Sequence, residues 1–466
     1  RQKAEGDQQH PIMYGMNSRL ERAADGSLHE NVWRADGMYG AAIRQIVQML
    51  SRAIPYAENE RQQSVIRKLI EFYETGNLAV FDAYTILWVE ETEGEVDFTN
   101  GFTEVYGDPL GLKASWEGYV NYTDHQATRR AQALSRNAQW FEDHSPVDAR
   151  FKKPLCRGVS AKVINAAILG GDLYPSSAIG INLPNSNWVR AEHGSKSVTI
   201  ANLTHAYDEA ARGNGFRNEF ADSAQTVSMM DRYGSVCDDL HTDLHECLGH
   251  GSGRLLPGVD PDALKAYGST IEEARADLFG LYYLADEKLV ELGLTPCQEA
   301  YKAQYYSYMM NGLLTQMVRI QPGHQIEEAH MRNRALIARW TLEHYPQAVR
   351  LSEQDGKHYV EILDYPLLRT AFGNLLAEIQ RIKSEGDLQA ARQMVERYGV
   401  QIDAKLHQEV LERYSKLHLA PYKGFINPRY TPVCDSEGRI TDVHIDYLET
   451  YDEQMLRYSR QYNTLI

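Results

Sequence analysis

The sequence is poor in the features that mark secreted, membrane and nucleic-acid-binding proteins. Its five cysteines, at 156, 237, 247, 297 and 434, are scattered and odd in number, and they give no disulfide framework. No apolar run reaches the length of a membrane span. The formal net charge of −16 argues against non-specific nucleic-acid binding, which needs a basic surface, and mildly favours cationic partners. We therefore expect no nucleic-acid partner and no membrane span.

The same scarcity of cysteine bears on the compartment. A few unpaired cysteines favour a reducing environment, so we expect a cytoplasmic protein, with the bacterial periplasm as the alternative. The chain begins Arg1-Gln-Lys, without an initiator methionine or a signal sequence. We interpret it as a fragment or processed product, whose targeting signal would lie in the preceding segment.

What is present is the composition of an ordinary globular protein. The chain has 466 residues, 43% of them hydrophobic and 24% charged, which is enough for two or three domains. Apolar residues recur at helical spacing in many segments, as in the stripe of Ile43, Ile46, Val47 and Leu50. Strands are predicted more sparsely, for example at 359–363 and 440–445. The pattern indicates a mostly helical chain with scattered strands.

The chemistry is concentrated in the run His-Glu-Cys-Leu-Gly-His at 245–250. Two imidazoles and a carboxylate are suitable zinc ligands, but the usual metallopeptidase spacing is His-Glu-x-x-His, one residue shorter. In a regular helix, residues five apart lie about 140° apart, so His245 and His250 would face different directions. A π-bulge absorbs one extra residue, and Gly249 tolerates a distorted backbone. We therefore predict a bulged metal site with Glu246 beside it.

A second pairing is available one turn earlier. His241 and His245 are four residues apart, a legitimate spacing for two zinc ligands on one helix face. That pair lacks a glutamate placed as Glu246 is. The third ligand is expected downstream, in Glu272-Glu-Ala-Arg-Ala-Asp277, where one glutamate binds the metal and the other orients a histidine from behind. Asp277 lies on the same helix face as Glu273.

These two motifs together resemble the dipeptidyl peptidase III family, whose hallmark is His-Glu-x-x-Gly-His followed by Glu-Glu-x-Arg-x-acidic. Gly180-Ile-Asn-Leu-Pro-Asn185 and Ala329-His-Met331 extend the resemblance through most of the chain. The resemblance implies a zinc-dependent exopeptidase that removes dipeptides from the amino end of short peptides, with one Zn²⁺ ion as cofactor. We expect it to act as a monomer.

The resemblance also implies roles for individual residues. The zinc ligands are His245, His250 and Glu273, with Glu246 as the catalytic carboxylate and Glu272 behind the ligands. The remaining candidates contact the substrate: Asn182 and Asn185 hold its amino-terminal part, and His330 donates a hydrogen bond in the transition state, with Arg334 nearby. A substrate amine also needs a carboxylate partner. We assign that role to Asp97, with Glu95 as the alternative.

For the fold, the resemblance implies an α+β, predominantly helical architecture of two lobes around a wide cleft. The helical zinc lobe is predicted at 118–165 and 213–424. The second lobe contains a β-barrel and takes 1–117, 166–212 and 425–466, with its N-terminal part missing.

The residues alone leave two other functions open. A non-catalytic zinc-binding scaffold needs the ligands but has no use for Glu246. A metal-dependent hydrolase of a non-peptide substrate would keep the whole zinc site, and cleavage of peptides in dipeptide steps would exclude it.

Overall fold

The structure is a computed structural model, and it describes residues 7, 9–105, 107–156, 162–175, 177, 180–419 and 425–463, with the side chains of Asn182, Asn187 and Ser197 left out. The strands, in chain order, are β1 (Ser18–Arg22), β2 (Leu28–Val32), β3 (Val96–Glu104), β4 (Ser115–Thr123), β5 (Lys162–Gly171), β6 (Gly180–Leu183), β7 (Lys196–Ile200), β8 (Val349–Gln354), β9 (Lys357–Ile362), β10 (Arg429–Cys434) and β11 (Ile440–Asp446).

The α-helices, in chain order, are α1 (Gly40–Ala53), α2 (Glu60–Thr75), α3 (Leu78–Glu90), α4 (His125–Arg136), α5 (Ala138–His144), α6 (Asn187–His193), α7 (Ala201–Ala211), α8 (Phe216–Phe220), α9 (Ala224–Leu244), α10 (Gly268–Leu284), α11 (Glu287–Glu291), α12 (Tyr301–Leu313), α13 (Ala329–His344), α14 (Tyr365–Glu385), α15 (Leu388–Met394), α16 (Ala404–Ser415) and α17 (Tyr451–Tyr462). The fold is α+β and predominantly helical, as predicted. None of the described helices combines the length and the apolar character that crossing a bilayer requires.

The chain forms two compact units. The sheet unit comprises Arg1–His125, Lys162–Ala206 and Tyr422–Ile466, and the helical unit comprises Gln126–Ala161 and Tyr207–Pro421. The predicted lobe boundaries at 117/118 and 165/166 fall inside β4 and β5. Both strands are hydrogen-bonded along their length to the same sheet, so the chain passes between the units after β4 and before β5 instead.

The sheet unit is built on five strands in the order β3-β4-β5-β7-β6. β3, β4 and β5 pair antiparallel, β5 and β7 pair parallel, and β6 pairs antiparallel with β7, which leaves β3 and β6 as edges among the described residues. The hydroxyl of Tyr73 on α2 donates to Asn100 at 2.7 Å and accepts from Trp116 Nε1 at 2.9 Å. These buried bonds fasten α2 to both β3 and β4.

The helical unit is organised around α10. Most of its residues from Thr270 to Leu284 are buried, including the side chain of Arg275 at 0% exposure. Helices α9, α13 and α14 pack around it. Glycine permits the closest approach: a Cβ on Gly280 of α10 would lie 2.5 Å from the His241 ring on α9. The tight packing of α9 on α10 fixes the positions of the side chains described next.

Candidate metal centre

A π-turn joins the end of α9 to the loop that follows it. Residues His245–Gly249 form this turn, and the amide of His250 donates to the carbonyl of His245 at 3.0 Å, a bond to the fifth residue back. The predicted bulge is therefore confirmed. It brings the two imidazoles together, with ring centroids 4.7 Å apart and ring planes perpendicular. Gly249 faces α10, where a Cβ would lie 2.9 Å from the Cα of Ala276.

Helix α10 supplies one carboxylate to the back of each imidazole. His245 Nδ1 donates to Asp277 Oδ1 at 2.8 Å, and His250 Nδ1 donates to Glu272 Oε1 at 2.8 Å. Because an ionised carboxylate only accepts, both rings keep a proton on Nδ1, and Nε2 is the nitrogen that binds a metal once any proton on it is displaced. This is the tautomer that a metal-binding histidine needs, held by the partner that such histidines commonly have.

The third carboxylate of α10 faces the front of the site. Ligand atoms of His245, His250 and Glu273 all lie within 4.8 Å of one another. Tetrahedral zinc, with bonds of about 2.1 Å, sets its ligand atoms about 3.4 Å apart, so a small inward movement completes the set. Glu273 Oε2 is buried and lies 3.3 Å from His245 Nε2 and 3.4 Å from His330 Nε2, without hydrogen-bond geometry to either ring. Two imidazoles and this one carboxylate suit a metal ion that keeps a further position open.

Charge around the site favours ionised carboxylates. Burial alone would raise the pKa of Glu272, but the charge of Arg275 and the bonds from His250 and Lys383 hold it well below its usual range. The pKa of Asp277 is also well below its usual range, because its bond and charge interaction with His245 outweigh its burial. Burial lowers the pKa of His245, yet Asp277 and Glu273 together raise it to about 10.

Residues from two further helices hold Asp277. The Tyr308 hydroxyl on α12 donates to Asp277 Oδ2 at 2.7 Å, and Asn333 Nδ2 on α13 donates to the same oxygen at 3.1 Å. Sequence reasoning missed both residues. Each lies in an ordinary helical run far along the chain, and nothing local marks it as a partner of the metal site. Arg275, which binds Glu272 through two nitrogens, was visible inside the motif but was given no role.

The alternative ligand His241 lies behind the site with both ring nitrogens in use. Its Nε2 donates to the carbonyl of Asp277 at 3.2 Å, and its Nδ1 accepts from Gln304 Nε2 at 3.2 Å. The ring is buried, and burial lowers its pKa. A neutral, fully bonded imidazole has no lone pair left for a metal, so the geometry favours the pair His245 and His250.

Two other predicted residues, Glu246 and His330, lie beside the ligands, and the charge of a third, Arg334, acts on Asp277. Glu246 is exposed and follows His245 directly. His330, at the start of α13, has its Nε2 3.4 Å from Glu273 Oε2 and its Nδ1 2.6 Å from Glu328 Oε1. Arg334 is one turn further along α13, and its charge contributes to the lowered pKa of Asp277.

The predicted substrate residues belong to the sheet unit. The side chain of Asn182 lies outside the description, although its backbone pairs with Ser197 in β6. Asn185 Nδ2 donates to Glu104 Oε2 at 3.1 Å. Asp97 does not suit its assigned role, because it is 8% exposed and already bonded to Trp88 Nε1 at 3.0 Å and Lys196 Nζ at 2.9 Å.

The structure offers Glu104 in place of Asp97. Glu104 lies at the end of β3 and its carboxylate touches Asn185, whereas Asp97 lies near the start of the same strand. Burial and the charge of the nearby Glu104 both raise the pKa of Glu117, a buried carboxyl on β4. Sequence reasoning had no register by which to place β3 against Asn185, so it could not single out Glu104.

Comparison with known proteins gives a consistent set of relatives. The model of peptidase family M49 matches residues 16–265 and 261–418. Dipeptidyl peptidase 3 of Dictyostelium discoideum is 27% identical over 311 residues, which are 59% of this chain and 43% of that protein. Dipeptidyl peptidase 3 of Homo sapiens is 24% identical over 465 residues, which are 91% of this chain and 60% of that protein.

A solved structure has a similar fold. DPP III from Caldithrix abyssi superposes with a TM-score of 0.69 at 21% sequence identity, over 86% of this chain and 73% of that one. The chain spans about half the length of the curated relatives it matches, between 43% and 60% of those two proteins.

Proposed function

The chain belongs to peptidase family M49, and from this premise we propose that it is a zinc-dependent exopeptidase that releases dipeptides from the amino end of short peptides. The observation that carries the proposal is the arrangement of His245, His250 and Glu273 with an exposed Glu246 beside them. A metal ion held only for structure is normally closed off by four protein ligands, whereas three ligands and an open position are typical of hydrolysis.

The proposed zinc ligands are Nε2 of both histidines and the carboxylate of Glu273. When bound, zinc acts as a Lewis acid that activates a water molecule and polarises the scissile carbonyl. The carboxylates of Asp277 and Glu272 keep each ring in its ligand tautomer and stop it from turning away.

Glu246 is proposed to move the protons. Its carboxylate takes a proton from the attacking water and later passes it to the amine of the departing peptide. The residue is exposed within a turn whose other four members are buried, so its carboxylate is free of the packing that holds the ligands. It has the access to solvent and substrate that a general base needs.

His330 is proposed to donate a hydrogen bond to the oxygen that becomes negative as the carbonyl is attacked. In this role the ring carries a proton on each nitrogen: Nδ1 donates to the carboxylate of Glu328, which orients the ring, and Nε2 is the donor to the substrate oxygen. Donors of this kind are worth about 10²–10³ in rate. Arg334, on the same face of α13 one turn later, is proposed to contact the substrate further from the cleaved bond.

An exopeptidase that counts two residues needs an anchor for the free amine. We propose that Asn182 and Asn185 provide amide groups and that Glu104 provides the charge. The support is the 3.1 Å hydrogen bond from Asn185 to Glu104, which places an amide group and a carboxylate side by side. A buried amine is costly unless it is paired in this way.

Matched peptides with free and acetylated amino ends test the proposal. The zinc-loaded chain is incubated with both, and the products are identified by mass spectrometry alongside metal analysis of the protein. We expect dipeptides from the free peptide and no cutting of the acetylated one. Efficient cutting of the acetylated peptide, or cutting at internal bonds, would overturn the exopeptidase assignment. Failure to cut either peptide with zinc fully bound would overturn the assignment as a peptidase.

A further inference from the structure

A cavity of about 700 Å³ lies in the helical unit, among α13, α16 and the β8–β9 hairpin. Arg339 in its wall follows His330 on α13 by nine positions, which is about 13 Å along the helix axis. The cavity is therefore distinct from the metal centre. Its volume is in the range of small-molecule sites. Most of its wall is apolar, and the apolar lining residues are Leu313, Met317, Leu342, Leu351, Ile402 and Leu406.

Arg339 is the unusual polar residue of this wall. Its Nη1 donates to the carbonyls of Tyr398, at 3.2 Å, and Gln401. Its Nε and Nη2 have no hydrogen-bond partner, and no carboxylate lies within 4.0 Å of the guanidinium, among the residues that the structure describes. Burial lowers the pKa of Arg339, with Asp403 opposing the shift, but an arginine keeps its charge in proteins. A largely buried cation with spare donors is a costly arrangement unless an anion completes it.

The other charged groups of the wall are already engaged or face outward. Asp403 caps α16 and accepts from the amides of Lys405 and Leu406, both at 2.9 Å. Glu409 accepts from His358 Nδ1 at 2.6 Å and from Arg413 at 2.9 Å. Both carboxylates accept hydrogen bonds from other residues, and neither lies within 4.0 Å of the Arg339 guanidinium. Lys405 is exposed at the rim, where it adds positive charge.

We propose that this cavity binds a small amphipathic carboxylate, with its carboxyl group on Arg339 and its aliphatic chain along the apolar wall. The guanidinium edge formed by Nε and Nη2 presents two parallel donors, which match the two oxygens of a carboxylate. The aliphatic chain of the ligand would bury its apolar surface against the six aliphatic or thioether side chains that line the cavity.

Other ligand classes fit the wall less well. A cation would lie against Arg339 and Lys405, which are both positively charged. A phosphate carries more negative charge than a single carboxylate, and the carboxylates of Asp403 and Glu409 in the same wall oppose it more strongly. A neutral hydrocarbon would leave the guanidinium without a partner. The combination of one free donor edge and an apolar wall selects a single carboxyl group attached to an apolar chain.

Isothermal titration of the zinc-loaded chain tests the proposal, with decanoate as the probe and decanol and decyltrimethylammonium as comparison compounds. We expect decanoate to bind at one site per chain. Decanol should bind at least tenfold more weakly, and decyltrimethylammonium should not bind. Two variants address the wall separately: Arg339→Gln removes the charge, and Leu406→Trp fills the cavity. Each should weaken decanoate binding at least tenfold.

Arg392→Gln is the matched control, since Arg392 is an exposed arginine paired with Glu396 on the surface. It should bind decanoate as the unchanged chain does. Circular dichroism and thermal unfolding establish that each variant is folded. If Arg339→Gln fails to fold, Leu406→Trp decides the question. No decanoate binding, equal binding of decanol, or unchanged binding in a folded variant would overturn the proposal.

Discussion

In the proposed mechanism, Glu246 transfers protons and does not bind the metal. The side chain is exposed and neither binds nor orients the histidines. We expect Glu246→Gln to keep zinc and to lose about 10²–10⁴ in turnover, the usual contribution of a general acid–base group. Metal content and kcat are measured on the same preparation. Near-normal turnover at full zinc occupancy would show that another group moves the proton.

A second prediction at the residue scale concerns which residues bind the metal. We expect His245→Ala, His250→Ala and Glu273→Ala to lose zinc, and His241→Ala to keep it. The reason is that both nitrogens of His241 are already hydrogen-bonded, whereas His245, His250 and Glu273 each have a ligand atom within 4.8 Å of the other two. Metal analysis after dialysis decides between them. Zinc lost from His241→Ala but retained by His250→Ala would favour the four-residue pair instead.

Glu117 should make the stability of the sheet unit depend on pH. Burial, with the charges of Glu104 and Asp172, raises the pKa of Glu117 to about 8, against 4.5 for an ordinary glutamate. The folded chain therefore holds a proton that the unfolded chain has lost, and stability falls as the pH rises from about 4.5 to 8. Glu117→Gln should add on the order of a few kcal/mol above pH 8 and nothing at pH 4.

Thermal unfolding of both proteins across this pH range measures the effect. Glu95→Gln, at an exposed position in the same unit, serves as the control and should follow the unchanged protein. Parallel unfolding curves for Glu117→Gln and the unchanged chain at every pH would contradict the assignment.

The residues of the candidate site could be predicted only where residues close to them in sequence complete a recognisable motif. His245, His250 and Glu273 could be chosen because their spacing makes chemical sense within two short motifs. Tyr308 and Asn333 could not be found, because their link to Asp277 exists only once α12 and α13 pack on α10. The bond between Asp97 and Lys196 could not be predicted for the same reason, because the two residues are nearly a hundred positions apart in sequence.

At the scale of elements, the contact between the π-turn and α10 should govern both stability and metal binding. A Cβ at Gly249 would lie 2.9 Å from the Cα and 3.0 Å from the carbonyl oxygen of Ala276. Backbone cannot yield as a flexible side chain does, so the two elements must move apart. We expect Gly249→Ala to cost about 1–3 kcal/mol and to weaken zinc binding.

Gly234→Ala is the control for this substitution. Gly234 lies in α9, and a Cβ there meets nothing within 4 Å. Alanine at that position should be neutral or stabilising by up to about 1 kcal/mol, because glycine weakens a helix interior. Thermal unfolding with and without zinc compares the two variants. Equal behaviour of both would show that the approach of Gly249 to α10 is not tight.

Helices were easier to predict than strands in this chain. The apolar stripe of Ile43, Ile46, Val47 and Leu50, for example, corresponds to α1, because its apolar residues recur at helical spacing. The hairpin of β1 and β2 was not predicted, since its residues are mostly exposed and show no alternation. β4 and β5 were missed because pairing between distant strands, which local pattern does not report, defines them.

At the scale of the molecule, all three proposed ligands belong to the helical unit. Zinc that binds only the folded state stabilises it by about 4 kcal/mol at a thousandfold excess over Kd. We expect zinc to slow amide hydrogen exchange in α9, the π-turn and α10, and to leave β3, β4 and β5 unchanged. Exchange followed by mass spectrometry measures this. Equal slowing in the sheet unit would show that the two units unfold together.

The zinc ligands and the carboxylates that orient them all lie between His245 and Asp277, in one uninterrupted stretch. During synthesis this stretch is made before Tyr308 and Asn333. Contacts between near neighbours in sequence form sooner than distant ones. A nascent chain thus carries every proposed ligand before it has the residues that hold Asp277 in place. We expect metal capture to begin while the chain is still growing, and the later helices to tighten a site that is already loaded.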